Sequence, residues 1–322
     1  MDRAFQRIRS LMLRDTFYSV PPILVRMEIE INYSFIIPHR NVPHLLQRCI
    51  DSIPKRDDIQ IIIVDDNSDP KIVNFECFPG LNEKCVEVYF TKEGKGAGYA
   101  RNIGLTYAKG KWFLFPDADD HYTTDLMNVL DKYVNSNYDI IYFACDHIIE
   151  KTMEHCDNII SIQIKSYLEG HKDMINNIRY YLWAPWNKMI KKELICEDVE
   201  FEEIEKGNDA LFSVRVGYRS TNIKVIKNKI YVYYTREGNI STSKLTFDKM
   251  YSLFTSRYRI YQYLCYGKIR RYNTALWSCF RLALNNRDIL FAIFFVLSIP
   301  LYRFNPVKEK KKAYSMFLID NK

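Results

Sequence analysis

Residues 112–120 read Trp-Phe-Leu-Phe-Pro-Asp-Ala-Asp-Asp, an apolar run followed directly by three carboxylates. The run has the composition of a buried strand, and the acids mark the point where that strand gives way to a loop. An open α/β sheet binds its ligands at this end of its strands. Asp117 and Asp119, separated by the small Ala118, can turn toward one hard divalent cation, which prefers oxygen ligands. Because an Asp-x-Asp tripeptide alone is more often a solvated loop or a helix cap, the rest of the chain must support this interpretation.

Strand-like and helix-like patterns alternate on both sides of this stretch. Apolar runs typical of strands cover residues 33–37, 59–64, 86–90 and 140–143, and helical spacing covers residues 42–53, 98–109 and 124–134. We expect Pro38 to stop the first strand, Gly110 to cap the second helix, and Thr123 or Thr124 to begin the third. The alternation predicts an α/β layer fold. The predicted α/β domain covers residues 32–243. An N-terminal extension, residues 1–31, precedes it, and a helical C-terminal region, residues 244–322, follows it.

Length and composition predict a folded protein with a substantial core. The chain has 322 residues, of which 48% are hydrophobic and 15% aromatic, and this excludes disorder. Its eight cysteines form no C-x-x-C pair and do not cluster with the six histidines, so we expect a reduced, cytoplasmic protein without structural zinc. Residues 1–30 lack the features of a signal peptide, and their first half has the spacing of a short amphipathic helix.

Positive charge is concentrated near the C-terminus. Residues 244–322 hold 15 Lys or Arg against 4 Asp or Glu, a balance of +11, and the total of +7 therefore leaves −4 for residues 1–243. A basic cluster at 308–312 follows an apolar run at 289–302, about fourteen residues where a spanning helix needs about twenty. The region either docks peripherally on an anionic membrane surface or packs on the α/β domain. Since no nucleic-acid motif accompanies the charge, we expect no nucleic-acid partner.

Polar residues collect where the predicted strands end. The first strand runs into residues 38–41, Pro-His-Arg-Asn, and the second into residues 65–68, Asp-Asp-Asn-Ser, while a Gly-punctuated turn at 95–102 opens a helix. In a parallel sheet these strand ends share one edge. Such an edge suits a nucleotide diphosphate, because acids can bind the base and ribose, cations and helix N–H groups can bind the phosphates, and carboxylates can bind a metal. The glycines at 94, 96 and 98 do not fit a dinucleotide-binding motif, and we interpret them as loop flexibility.

Four segments in order carry a family resemblance. They are residues 34–41 (Ser-Phe-Ile-Ile-Pro-His-Arg-Asn), 61–68 (Ile-Ile-Ile-Val-Asp-Asp-Asn-Ser), 98–104 (Gly-Tyr-Ala-Arg-Asn-Ile-Gly) and 113–120 (Phe-Leu-Phe-Pro-Asp-Ala-Asp-Asp). Together they closely resemble the family 2 glycosyltransferases, over about residues 32–234. The resemblance implies the GT-A fold with its Rossmann-like mixed sheet. It also implies inverting transfer of a sugar from a nucleotide-diphosphate donor, UDP-linked, to a glycan or lipid-linked acceptor in surface polysaccharide synthesis, with Mg²⁺ or Mn²⁺.

The same resemblance implies roles for residues that bind the nucleotide. Pro38 and Arg40 would line the nucleotide pocket, and Asp66 would accept a hydrogen bond from the base while Asp65 braces that turn. From the residues alone, the two acids remain explicable as a polar turn after a strand.

Further roles follow for the diphosphate and the metal. Arg101 would lie near the nucleotide, and Asn102 would fix the helix start. Asp117 would lie beside the ribose and the metal, and Asp119 would ligate the metal. Arg236 is a candidate to close over the diphosphate. From the residues alone, Arg40 and Arg101 are also explicable as surface salt-bridge partners, and Arg236 as a solvated loop arginine.

Transfer by direct displacement also needs a general base for the acceptor hydroxyl. Asp209 resembles the family's acidic base motif, although Asn208 stands where Glu is common, and Glu205 is the fallback. Without the resemblance, Asp209 is a helix-start acid. Trp183 and Trp186 could stack on an acceptor sugar, and core packing explains them equally well.

Two alternatives to a transferase can be weighed. A sugar nucleotidyltransferase would favour a Gly-rich, basic loop after the first strand, where Pro38, His39 and Arg40 stand instead. A non-catalytic nucleotide-sugar binding module of the same fold is disfavoured by the intact acids. Metal-dependent hydrolysis of the sugar donor separates enzyme from module.

Overall fold

A computed structural model describes residues 30–196, 198–236, 246–267 and 269. The expected amphipathic helix of the N-terminal extension lies outside these residues. So do the apolar run at 289–302 and the basic cluster at 308–312.

The first half of the chain builds a parallel sheet, as predicted. Its elements are β1 (Tyr33–His39), α1 (Pro43–Asp51), β2 (Ile59–Asp66), β3 (Val86–Thr91), α2 (Ala97–Tyr107) and β4 (Trp112–Leu114). β1 pairs in parallel with β2 and with β4, and β2 pairs in parallel with β3. Every residue of β1, β2 and β4 is buried, as expected of parallel strands covered on both faces. The carboxyl ends of the four strands therefore lie along one edge.

The second half adds strands of both directions. Its elements are β5 (His121–Tyr122), α3 (Leu126–Leu130), β6 (Ile140–Ile149), β7 (Glu154–Cys156), α4 (Ile159–Leu168), α5 (Met174–Tyr181), β8 (Lys188–Lys191), α6 (Ala210–Arg219), β9 (Ile223–Thr235) and α7 (Phe247–Tyr266). The nine-stranded sheet runs β3-β2-β1-β4-β8-β6-β9-β5, with β7 beside β6. β8 is antiparallel to both of its neighbours, so the sheet is mixed.

Three local expectations were wrong. β1 continues through Pro38 because β4 pairs with β1 only as far as Phe35, so a missing N–H is tolerated there. Gly110 does not cap α2; a Cβ on it would lie 2.6 Å from Ser34 N, so its absence lets the chain approach β1 closely. The third helix covers only Leu126–Leu130.

Helix α7 packs on the α/β unit. Ile260 and Leu264 are buried against Ala210 and Leu211 of α6. The hydroxyl of Thr246 accepts a hydrogen bond from Lys249 N–H at the start of α7 (3.4 Å). Among the described residues, no helix combines the length and the apolar character that crossing a membrane requires.

Candidate active site

The acids of the quoted stretch form a cluster at the carboxyl edge of the sheet. Ligand oxygens of Asp117, Asp119 and Asp120 all lie within 4.8 Å of one another. Burial and the nearby charge of Asp117 raise the pKa of Asp119, and burial together with both neighbouring acids raises the pKa of Asp120 well above its ordinary value. A hard divalent cation suits an all-oxygen set of this kind and would relieve the repulsion.

Arginines partly neutralise the cluster. Arg101 Nη2 lies 2.5 Å from Asp117 Oδ1, and Arg236 Nη1 lies 2.7 Å from Asp119 Oδ2. Arg236 Nη2 also donates to the backbone carbonyl of Asp119, as does Arg48 Nη2 at 2.5 Å. Sequence reasoning missed Arg48, because an arginine on an amphipathic helix looks like an ordinary surface residue until the sheet brings it to the acids.

Arg101 also reaches the second half of the chain. Its Nη1 donates to Asn208 Oδ1 at 3.0 Å, while its guanidinium lies 5.2 Å from the ring centre of Phe201. Asn102 exchanges two hydrogen bonds with the backbone of Phe201, at 2.9 and 2.8 Å. Asn102 lies within α2, which starts at Ala97. Its side chain therefore holds the segment before α6 against this helix.

Two glycines at the start of α2 have more specific roles than flexibility. Gly96 caps the helix with a φ of 98°, a left-handed value that favours glycine. A Cβ on Gly98 would clash with the carbonyl oxygen of Glu202. The missing side chain therefore lets α2 approach the segment that carries the candidate base.

The two acids that end β2 hold two loops. Asp65 accepts hydrogen bonds from His39 Nδ1 (2.7 Å) and Ser68 Oγ (2.5 Å), which makes it the brace of its turn. Burial opposes ionisation, yet these hydrogen bonds lower the pKa of Asp65. Asp66 accepts from Lys95 N–H at 3.1 Å and from Gly96 N–H at 2.6 Å, so it joins β2 to the loop that opens α2.

Other predicted nucleotide-pocket residues border the same loop. A Cβ on Gly94 would lie 3.9 Å from Arg40 Nη1 and 3.6 Å from Asn67 Cβ. Arg40 is exposed, whereas Pro38 is buried within β1. Arg40, Asn67 and Asp66 therefore surround one loop at the strand edge.

Asp209 is the N-cap residue directly before helix α6, and its side chain makes no capping hydrogen bond there. Burial raises its pKa and the charge of Asp117 adds to the rise, while the cations of Arg101 and Lys188 oppose it. The fallback base, Glu205, is instead exposed and lies 3.6 Å from Lys249 of α7. Of the two acids, Asp209 is the one electrostatically coupled to the acidic cluster.

Protein groups contact both candidate acceptor tryptophans, of which Trp186 is buried and Trp183 half-buried. Trp186 is 7% exposed and stacks on Tyr231 and Tyr233, with ring centres 4.8 and 5.4 Å apart. Arg257 lies 5.2 Å from the ring centre of Trp183. Of the two explanations that the sequence left open, core packing describes Trp186 in this structure.

Lys188 is a buried cation that sequence reasoning did not single out. It is fully buried, and its Nζ donates to Leu182 O at 2.8 Å and lies 3.2 Å from Ser213 Oγ. Burial lowers its pKa to about 7, against a smaller opposing effect of Asp209. A lysine in sequence looks like an ordinary surface residue, and only its burial in the fold reveals the lowered pKa.

Comparison with known proteins supports the family resemblance. Residues 34–189 match the family described as "Glycosyl transferase family 2". Among curated proteins of Streptococcus pneumoniae, the chain is 25% identical to glycosyltransferase GlyA over 235 residues, 67% of this chain and 32% of that protein. It is 26% identical to glycosyltransferase GlyG, over 64% of this chain and 72% of that protein. The chain thus spans about a third of the length of GlyA.

A solved structure shares the architecture. The crystal structure of Staphylococcus aureus TarS 1–349 in complex with UDP-GlcNAc matches with a TM-score of 0.57 and 19% identity. The match covers 72% of this chain and 66% of the TarS fragment. At this identity the likeness concerns the fold alone, and it confirms the GT-A fold.

Proposed function

We propose that this chain is a glycosyl transferase of family 2 that transfers a sugar from a UDP-linked donor to a glycan or lipid-linked acceptor of surface polysaccharide synthesis. The UDP-GlcNAc bound by TarS supports a nucleotide-sugar donor of this type. The curated relatives include a cholesterol galactosyltransferase and a poly(ribitol-phosphate) N-acetylglucosaminyltransferase, so they support the reaction type and not one particular sugar or acceptor.

The observation that carries the proposal is the position of Arg101. Its guanidinium contacts Asp117 at the end of β4 and Asn208 immediately before Asp209. Arg101 thereby links two parts of the proposed site. Asp117 is suited to the diphosphate and metal of a donor, and the segment at Asn208 carries Asp209, which is suited to deprotonating an acceptor. An enzyme that transfers between two substrates needs its two half-sites in this proximity.

The nucleotide half uses residues around one loop. Arg40 and Asp66 are proposed to bind uracil and ribose beside Pro38. Because both Asp66 oxygens already accept backbone N–H groups, the base would use their remaining lone pairs. Arg101 and Asp117 would contact the ribose and diphosphate.

Asp119 is proposed to hold Mg²⁺ or Mn²⁺ together with Asp117. When bound, the ion offsets negative charge that develops on the departing diphosphate. Arg236 Nη1 lies 2.7 Å from Asp119 Oδ2. Its positive charge would offset part of the same negative charge on the diphosphate.

Asp209 is proposed as the general base of an inverting displacement. A hydroxyl of the acceptor would pass its proton to an Asp209 oxygen while its own oxygen forms the new bond to the anomeric carbon. The bond from that carbon to the diphosphate breaks, and UDP carries away the electron pair. A carboxylate whose pKa is raised by burial is a stronger base than an exposed aspartate, which favours this step.

The basic C-terminal region supports a further part of the proposal, peripheral association with the inner face of an anionic membrane. About 1 kcal/mol for each surface Lys or Arg gives the cluster at 308–312 enough attraction for reversible binding. A chain that ends at Ile269 keeps helix α7 on the α/β unit and removes the cluster. It should lose binding to anionic vesicles, whereas retained binding would contradict membrane docking through this region.

The proposal is tested by thermal stabilisation with a panel of nucleotide sugars, each with Mn²⁺ and with EDTA. A bound ligand at about 100 times its Kd stabilises by about 2.7 kcal/mol, which gives a clear rise in Tm. UDP-sugars should stabilise the protein in Mn²⁺ more than in EDTA, and the best ligand should be hydrolysed slowly. A protein that responds to no nucleotide sugar under either condition would contradict the proposed activity.

A further inference from the structure

The hydroxyl of Tyr231, on β9, joins both ends of the acidic segment. Its Oη accepts a hydrogen bond from Asp117 N–H at 3.0 Å and donates one to Asp120 Oδ2 at 2.9 Å. A phenol has one hydrogen and two acceptor lone pairs, so one hydroxyl can make both bonds. The backbone bond from Asp120 N–H to Asp117 O, 3.2 Å, closes the same turn. A residue from a distant strand thus sets the shape of the turn at 117–120.

Aromatic packing fixes the ring that carries this hydroxyl. Tyr231 is fully buried and stacks on Trp186, with ring centres 4.8 Å apart and planes 12° apart. Tyr122 meets its edge, with centres 5.1 Å apart. Because the ring is fully buried and packed against both neighbours, this packing holds the hydroxyl at the turn.

Asp120 differs from the other two acids in its surroundings. Its second carboxylate oxygen accepts from Tyr234 N–H at 2.9 Å, so each oxygen has a hydrogen-bond partner on β9. Asp120 is 1% exposed, whereas the Asp117 and Asp119 side chains are 33% and 29% exposed. The arrangement anchors Asp120 to the sheet and leaves Asp117 and Asp119 accessible to a ligand.

We propose that Tyr231 is a positioning residue of the metal site, whose hydroxyl orients Asp117 and Asp119 through the turn, and that Asp120 is the anchor of that turn instead of a metal ligand. This inference rests on the proposed metal-dependent function. Removing a group that orients metal ligands typically costs about 10- to 100-fold in metal affinity, and we expect a loss in the lower part of this range.

The test compares Tyr231→Phe with Tyr122→Phe in the full chain. Tyr122 is a matched control because it is also buried, at 2% exposure, and its Oη has no hydrogen-bond partner among the described residues. Mn²⁺ binding is titrated by the electron paramagnetic resonance signal of free Mn²⁺. Tyr231→Phe should weaken Mn²⁺ binding about 10-fold. Tyr122→Phe should change it by less than about twofold.

A second readout separates positioning from a general structural defect. In Tyr231→Phe, UDP binding in EDTA should weaken much less than Mn²⁺ binding, because Arg40, Asp66 and Arg101 lie outside the turn and only the proposed Asp117 contact lies within it. An equal loss of metal-free UDP binding would assign Tyr231 to overall stability and overturn the inference.

Asp120→Asn keeps the test decisive if Tyr231→Phe does not fold. An anchor predicts that Asp120→Asn also weakens Mn²⁺ binding about 10-fold, and that the double variant is no weaker than either single one. A direct ligand predicts a much larger loss in Asp120→Asn, which would overturn the inference.

Wild-type affinity in a folded Tyr231→Phe protein would overturn this inference alone. A wild-type protein that binds no Mn²⁺ would overturn both it and the metal-dependent part of the proposed function.

Discussion

Arg101 and Asp117 form an ion pair in which Nη2 lies 2.5 Å from Oδ1, and Arg101 itself is 4% exposed. The same guanidinium donates to Asn208 Oδ1 from its other terminal nitrogen. A planar fork can satisfy two acceptors at once, whereas an ammonium on a flexible stem cannot reproduce this geometry. The pair therefore does more than balance charge, because it fixes the end of β4 against the start of α6.

Replacing the fork by a point charge tests this arrangement. Arg101→Lys should weaken UDP binding about 10-fold, since a lost hydrogen bond to a charged group costs about 1.5 kcal/mol or more. Isothermal titration calorimetry with Mn²⁺ present measures the change. Arg56→Lys is the control, because Arg56 also forks between two side-chain acceptors, here the carboxylates of Asp58 at 2.7 Å and Asp131 at 2.6 Å, on a different part of the protein. Unchanged UDP affinity in Arg101→Lys would remove Arg101 from the nucleotide site.

The metal role of Asp119 predicts a conditional defect. Asp119→Ala should abolish the Mn²⁺-dependent increase in donor binding and leave the binding seen in EDTA largely intact. The control is Asp125→Ala, because Asp125 is exposed, lies in the same segment and makes no capping hydrogen bond. Thermal shift with and without Mn²⁺ reads out both variants. If Asp119→Ala keeps the full Mn²⁺ response, the cation is held elsewhere.

Much of the fold could be predicted because the apolar patterns of the sequence agree with the way that a parallel sheet is buried between helices. The apolar runs that became β1, β2 and β4 are buried on both faces, and their carboxyl ends share the edge on which the predicted acids collect. What the patterns could not provide was contact between distant segments. Arg48 reaches the Asp119 carbonyl only because α1 packs beside β5, and nothing in its neighbourhood marks it.

The aromatic residues show the same limit from another direction. Trp183 and Trp186 were noted in the sequence as sugar-stacking candidates, but stacking surfaces and core surfaces have the same composition. Only the fold places Trp186 under Tyr231 and Tyr233. Likewise, the interpretation of Gly98 as flexibility missed its close approach to Glu202, which depends on a partner about one hundred residues away.

The base assignment predicts a defect confined to turnover. Asp209→Asn should retain donor affinity and lower turnover about 10²- to 10⁴-fold, the usual contribution of general-base catalysis. Asp173→Asn is the matched control, since Asp173 also precedes a helix, makes no capping hydrogen bond and is exposed. Equal losses of affinity and turnover in Asp209→Asn would instead give Asp209 a structural role.

The pH dependence of kcat offers an independent check on Asp209. Burial raises its pKa, so its basic form is lost as the pH falls through a value above that of an ordinary aspartate. The wild-type rate should therefore decline on the acid side at a pH above the usual range for this side chain. A rate that stays constant down to about pH 4, near the ordinary aspartate pKa, would contradict a raised base.

Lys188 predicts an unusual stability profile. In the unfolded chain it holds its proton up to about its reference pKa of 10.5, but burial lowers the folded pKa to about 7. Between these values the unfolded state binds more protons, so the free energy of unfolding rises with pH, by at most about 1.4 kcal/mol per pH unit. Below pH 7 both states are protonated and the destabilisation is fully present.

Lys188→Met removes this titration, so its free energy of unfolding should rise less steeply than that of wild type from pH 7 to 9 in urea titrations. Lys84→Met should run parallel to wild type, because the Lys84 side chain is 85% exposed. Parallel curves for Lys188→Met and wild type would mean that Lys188 stays protonated in the folded protein, held by Leu182 O and the nearby charge of Asp209.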